Sequence, residues 1–166
     1  MLKKIALILM LIAPMSVFAQ KFGHIKMQEI VSVMPEYTKA QTDINTMQKD
    51  FQNEIKRAQD EVTKKYAEYQ QDQANLPKNI QERRQKELQE LSQKGMQMQQ
   101  DAQLELERSW MSMLEPIAKK IDDAIKAVGQ DGGYVYIFDL NTTQIPFVNE
   151  TLSTDVTGAV KAKLGI

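Results

Sequence analysis

The sequence predicts an α+β protein, mostly α: a long antiparallel helical hairpin on a small β body with a short C-terminal helix. Three observations predict it. Between Pro35 and Val128 the 166-residue chain contains no glycine except Gly95 and only two internal prolines, Pro77 and Pro116. The rest of that stretch is dominated by Gln, Glu, Lys, Asp, Ala, Leu and Met, residues that helices tolerate or favour. Its apolar residues recur at steps of three and four on either side of Leu76-Pro77-Lys78-Asn79, and glycine-bounded aromatic and β-branched runs appear only outside it.

From the N-terminus, Met1-Leu2-Lys3-Lys4 is a short basic start, Ile5 to Val17 is nearly all apolar, and Val17-Phe18-Ala19 places small residues where a signal peptidase reads. Residues 1–19 are therefore expected to be a secretory signal cleaved after Ala19; the run is short for a membrane span and contains Pro14. Cleavage would remove Lys3 and Lys4 and no acid, leaving 19 basic and 22 acidic side chains and a net charge of −3. That balance argues against nucleic acid as a partner. The chain has no cysteine, so no disulfide or lipidated cysteine is available to an exported form.

Phe22-Gly23-His24-Ile25-Lys26 alternates as a short strand, and Met27 to Met34 reads as one or two helical turns. Pro35 suits the first turn of a helix, with Glu36 beside it near the positive end of the helix dipole. The rising arm carries Ile44, Met47, Phe51, Ile55, Ala58, Val62, Tyr66 and Tyr69 on one seam. These steps give an 11-residue repeat, which keeps the seam straight or slightly right-handed. The tip is expected at residues 76–79, because proline disfavours helix at the residue before it. The returning seam is Leu88, Leu91, Gly95, Met98, Ala102, Leu106, Trp110, Met113, Ile117, Ile121, Ala124 and Val128. Gly95 on that seam is read as a place for close approach of the arms, and Pro116 as a kink. Each arm is roughly 60 Å long at 1.5 Å per residue.

Gly129 and Gly132-Gly133 are expected to end the helix. Tyr134 to Phe138 follows as a strand, with Tyr134, Tyr136 and Phe138 on one face and Val135 and Ile137 on the other. Ile145-Pro146-Phe147-Val148 is read as a further strand at an edge. Ser153 or Thr154 would cap a last helix whose buried stripe is Val156, Val160 and Leu164. The organisation is then a signal at 1–19, a hairpin at 35–128, and a body from 20–34 with 129–166. Three short strands make a poor core alone, so several copies are expected to close the body. Phe22, Ile25, Tyr134, Tyr136 and Phe138 are the interface candidates.

The residues offer little for catalysis, and no enzyme, cofactor or metal site is expected. His24 is the only histidine and cysteine is absent, which leaves zinc and Cys/His or Ser/His chemistry without material. No glycine-rich phosphate loop occurs, and the carboxylates lie on exposed helical faces. Asn141-Thr142-Thr143 and Asn149-Glu150-Thr151 match the glycosylation pattern, a tripeptide frequent by chance. Two surface features remain. Met96, Leu104, Met111 and Leu114 form a second apolar stripe off the returning seam, either for changeable partners, which methionine suits, or for packing against the base or a second subunit. Lys78, Arg83, Arg84 and Lys86 surround the tip with only Glu82 among them. They are either a solvated turn or a contact for anionic groups such as lipid headgroups or acidic client segments.

The ordered set of Gly23-His24-Ile25, Met34-Pro35-Glu36-Tyr37, Gly132 through Asp139, Ile145-Pro146-Phe147-Val148 and Asp155-Val156-Thr157 resembles the Skp/OmpH family of periplasmic chaperones over residues 20–166. The resemblance implies a homotrimer in the periplasm, with a β body and three tentacles around a cavity. It implies that unfolded outer-membrane proteins are held there without ATP; transient membrane-surface contact is an expectation from the tip cations, and the family's own surface contact does not transfer to named residues here. The best-known members are strongly basic, whereas this chain is mildly acidic and keeps basic charge only near the tip. The other reading of the same shape is a coiled-coil scaffold or spacer of the cell envelope.

Overall fold

The computed structural model describes residues 20–166; the signal and its cleavage after Ala19 lie outside the described residues. Strand β1 (Lys21–Ile25) leads into a short helix α1 (Met27–Val31). Helix α2 (Pro35–Asp72) starts on Pro35, whose missing N–H is no loss at a helix start. A single 3-10 turn (Gln73–Asn75) ends it. Leu76 is extended before Pro77, and the chain reverses into α3 (Lys78–Gly132). The amides of Ile80 and Gln81 donate to the Pro77 carbonyl, and the Gln81 side-chain amide donates to the carbonyls of Gln73 and Leu76. The tip thus closes on its own polar groups.

At 55 residues α3 is about 80 Å long and outruns the 38-residue α2, at about 57 Å. It continues through Gly129, where the sequence had suggested a stop. One glycine costs a helix only about 1 kcal/mol, whereas termination needs a residue that turns left-handed. Gly133, with φ +63, does so, and its amide returns to the Gln130 carbonyl. Pro116 stays inside α3.

The expected seam is present. Ile44, Met47, Phe51, Ile55, Ala58 and Val62 on α2 are half-buried, as are Leu88, Leu91, Met98 and Leu106 on α3. One position differs. Tyr66 points to solvent, and half-buried Lys65 takes its place between Val62 and Tyr69, pairing with Glu87 across the hairpin. A long aliphatic stem with a charged end fills a wet seam as well as a ring does. A second cross-arm pair, Glu36 with Lys120, lies near the base.

Strand β2 (Tyr134–Asp139) and strand β3 (Ser153–Asp155) flank β1 in the order β2-β1-β3, both parallel to it. Helix α4 (Thr157–Leu164) closes the chain. Ile25, Ile30, Met34, Ala40, Ile117, Ile121, Ala124, Val128, Val156 and Val160 form one core, where the base of the hairpin meets the sheet and α4. Tyr37 and Trp110 meet edge to face at 5.8 Å just above it. Val156 and Val160 bury their side chains and Leu164 packs beside them, as the stripe predicts.

The segment 145–148 is not a strand; the third strand is Ser153–Asp155. Pro146 has no amide to give a ladder. The Ile145 amide turns back to the Thr143 carbonyl, and the amides of Leu152 and Ser153 turn back to the Asn149 carbonyl. Ser153 and Thr154 therefore pair with Phe22 and Gly23 instead of capping α4, and Asp155 accepts from the Thr157 amide at 2.9 Å.

Candidate binding surfaces of the arms and the body

On α3 the seam side chains face α2. Met96, Leu104 and Met111 lie off that seam and are 59%, 51% and 64% exposed. Leu114 does not share that exposure: it is half-buried against the core, as the packing reading had it. Gly95 does not bring the arms together. A Cβ there would meet nothing within 4 Å, and the space beside it, about 420 Å³, is lined by Ala58, Val62, Leu91 and Met96. The arms are held apart by the larger side chains on either side. A second open groove runs from Phe51 along Met98, Ala102 and Leu104. Charges flank it on both sides, Lys94 and Arg108 against Glu54, Asp101 and Glu105. The stripe is therefore a set of apolar side chains beside shallow, wettable grooves.

The tip cations divide into two pairs. Arg84 lies 3.8 Å from Asp72 and Lys86 lies 3.7 Å from Glu90. Among the described residues Lys78 and Arg83 have no carboxylate at ion-pair distance. Arg83 lines a shallow site with Lys65, Tyr69 and Glu87. The hydrogen bond from Lys65, reinforced by its charge, holds the Glu87 carboxyl below its usual range.

On the body, Phe22, Tyr136 and Phe138 form a continuous aromatic row on the outer face of the sheet. Phe22 and Tyr136 stack at 6.4 Å with planes 5° apart, and Tyr136 and Phe138 at 5.7 Å. Tyr136 is 59% exposed. The loop after β2 extends the row with Ile145, Phe147, Val148 and Leu152 around a cleft of about 400 Å³. Phe147 and Leu152 are 77% and 73% exposed; the strand expected at 145–148 assigns Phe147 to a ladder, and Leu152 lies beyond it in a loop that no periodicity marks. The available signal was two large apolar side chains on a segment marked as a turn by Pro146 and Asn149.

Two expected interface residues leave this face. Ile25, 2% exposed, is in the core of the single chain and has no surface to offer a second copy. Tyr134 is displaced by an irregularity in the ladder: Lys21 pairs with Tyr134 but Phe22 pairs with Tyr136, so Val135 is unmatched. The extra residue reverses the alternation, and the Tyr134 ring lies with Ile137 over Gly23, with Lys21 Nζ 4.2 Å from its centre. His24 is buried beneath the row, its Nδ1 2.8 Å from Ser153 Oγ, and anchors β3.

Two carboxylates tie the sheet to its connections. Asp139 accepts from the amides of Met27 and Asn141 and from the Thr142 hydroxyl. Partial burial pushes its carboxyl up, but these donors outweigh it and hold the group below the usual range. Asp155 behaves alike: burial opposes, and the Thr157 hydroxyl and amide together with His24 and Lys26 lower it. Among the described residues no group of three or more His, Cys, Asp or Glu is placed to hold a metal, and no helix is long and apolar enough to cross a membrane.

A family profile described as outer membrane protein (OmpH-like) matches residues 21–164. Among solved structures, a candidate OmpH-like outer membrane chaperone from Caulobacter crescentus superposes with a TM-score of 0.74. It shares 14% identity, and the match covers 87% of this chain and 83% of that one. At that identity the likeness is one of fold. No curated protein matches the sequence.

Proposed function

From the chain's membership of the OmpH-like family, we propose that it is an ATP-independent periplasmic holdase that shelters unfolded outer-membrane proteins between its arms. The observation that carries this reading is the row Met96, Leu104 and Met111, each more than half exposed along α3. Exposed methionines adapt to many shapes. Weak contacts spread along a long arm add up to high avidity without selecting one sequence.

Shelter needs more than one arm. The proposed assembly is a homotrimer joined through the aromatic row of Phe22, Tyr136 and Phe138, extended by Phe147 and Leu152. Both outer strands of the sheet are edges, which a second copy can cover. Lys78 and Arg83, the tip cations with no carboxylate at ion-pair distance among the described residues, are the proposed points of transient contact with anionic membrane surfaces.

The test is dilution of a denatured outer-membrane β-barrel protein into buffer with the purified chain. Suppressed light scattering at near one trimer per client is expected; unabated aggregation at several-fold excess would overturn the reading. Replacing Met96, Leu104 and Met111 with Ser or Gln should reduce suppression while the oligomer persists. A scaffold of the envelope would instead bind a fixed folded partner and ignore unfolded chains.

A further inference from the structure

The seven methionines of the described residues differ sharply in access. Met34 is fully buried in the core; Met27, Met47, Met98 and Met113 are half-buried. Met96 and Met111 stand apart, each more than half exposed and both off the seam of α3. The chain has no cysteine to intercept an oxidant first. Thioether reactivity follows solvent access, because oxygen transfer requires water to move a proton between the peroxide oxygens, and the product is polar and chiral where the reactant was apolar.

We propose that Met96 and Met111 are two reversible oxidation sites for hydrogen peroxide that switch the exposed apolar stripe of α3 from apolar to polar. The sulfur lone pair attacks one peroxide oxygen. The S–O bond forms as the O–O bond breaks, and the second oxygen leaves as water after taking the proton from the first. Sulfur loses two electrons and the peroxide gains them. Of the three exposed apolar side chains Met96, Leu104 and Met111, only Leu104 is left unchanged. Neither methionine belongs to the core of the base: both are more than half exposed, and neither is among the residues that form that core or pack against it. Oxidation therefore changes what the arm holds and leaves its helices in place. The consequence for clients rests on the holdase reading; the modification itself does not.

The experiment treats the purified protein with hydrogen peroxide and follows each methionine by peptide mass spectrometry, with far-ultraviolet circular dichroism alongside. Met96 and Met111 should gain one oxygen at least roughly tenfold faster than Met34, with helix content unchanged. Oxidation of Met34 or of the seam residues Met98 and Met113 at the same rate, or loss of helix as the first sulfoxides form, would overturn the proposal. Suppression of client aggregation should weaken several-fold on oxidation and recover with methionine sulfoxide reductase. A Met96→Leu, Met111→Leu variant, measured against its own untreated value, should be insensitive to peroxide; equal sensitivity would place the switch elsewhere and overturn it. Failure of the untreated protein to suppress aggregation would count against the holdase reading alone, since the order of oxidation is read without a client.

Discussion

Gly95 and Gly132 lie on the same helix and make opposite demands. At Gly95 a Cβ meets nothing, so Gly95→Ala removes the cost of glycine in a helix interior and should stabilise the protein by about 1 kcal/mol in urea unfolding. At Gly132 a Cβ would lie 2.3 Å from the Tyr134 ring. Gly132→Ala must push that ring off Gly23, and about 1–3 kcal/mol of destabilisation is expected. The sequence marks both residues as glycine and does not separate these roles; distance to Tyr134 does. Tyr134 was itself misplaced because alternation assumes an unbroken ladder, and the mismatch at Val135 is a tertiary event. Asp139 and Asp155 carry a pH prediction. Both carboxyls are lowered in the folded state, so their contribution is fully present above the unfolded value of about 3.9 and is lost as pH falls through the folded value. Thermal midpoints should therefore decline below about pH 4, and Asp139→Asn should flatten that decline.

At the scale of elements, the hairpin was legible because its signal is local. Steps of three and four need only the helix's own geometry, and every returning-seam residue from Leu88 to Val128 is buried or half-buried. The body was less so. Residues 145–148 look like a strand by composition, but β1 pairs with Ser153–Asp155, a choice set by His24 and Ser153 and not by propensity. Burial also differs along the hairpin, and stability should follow it. Ile121 lies in the core and Ile55 on the half-wet seam. Ile121→Ala should cost about 2–4 kcal/mol, and Ile55→Ala about 1 kcal/mol, in proportion to the smaller area removed from water. Amide exchange should be slowest from Ile117 to Val128 and faster around Gly95, where the seam opens.

For the whole molecule, the aromatic row on the outer face of the sheet is the feature a lone chain leaves unsatisfied. It is the surface through which the proposed assembly would close. Light scattering of the purified protein should return a multiple of the chain mass. A Tyr136→Asp, Phe138→Asp double variant should return the mass of one chain, with helical circular dichroism retained because the hairpin and its core do not use those rings. The expectation of self-association came from three short strands that make a poor core alone, and the resemblance alone supplied the number three. Phe147 and Leu152 stayed hidden because no periodicity governs a loop.

Strand β1 lies between partners that arrive long after it: Lys21 sits beside Tyr134, and Phe22 beside Ser153. In a chain delivered N-terminus first, that strand waits alone until residues 134–139 have appeared, and its other neighbour follows only with Ser153–Asp155. Bringing such distant segments together is entropically slow. The two rods shorten the search, since zipping from Pro77 downward carries Met34 and Ile117 to the same place before any sheet exists. The arms are thus also the tether that lets their own foundation form, and a chain cut before Ser153 should keep its zipper and lose the core that Val156 and Val160 complete.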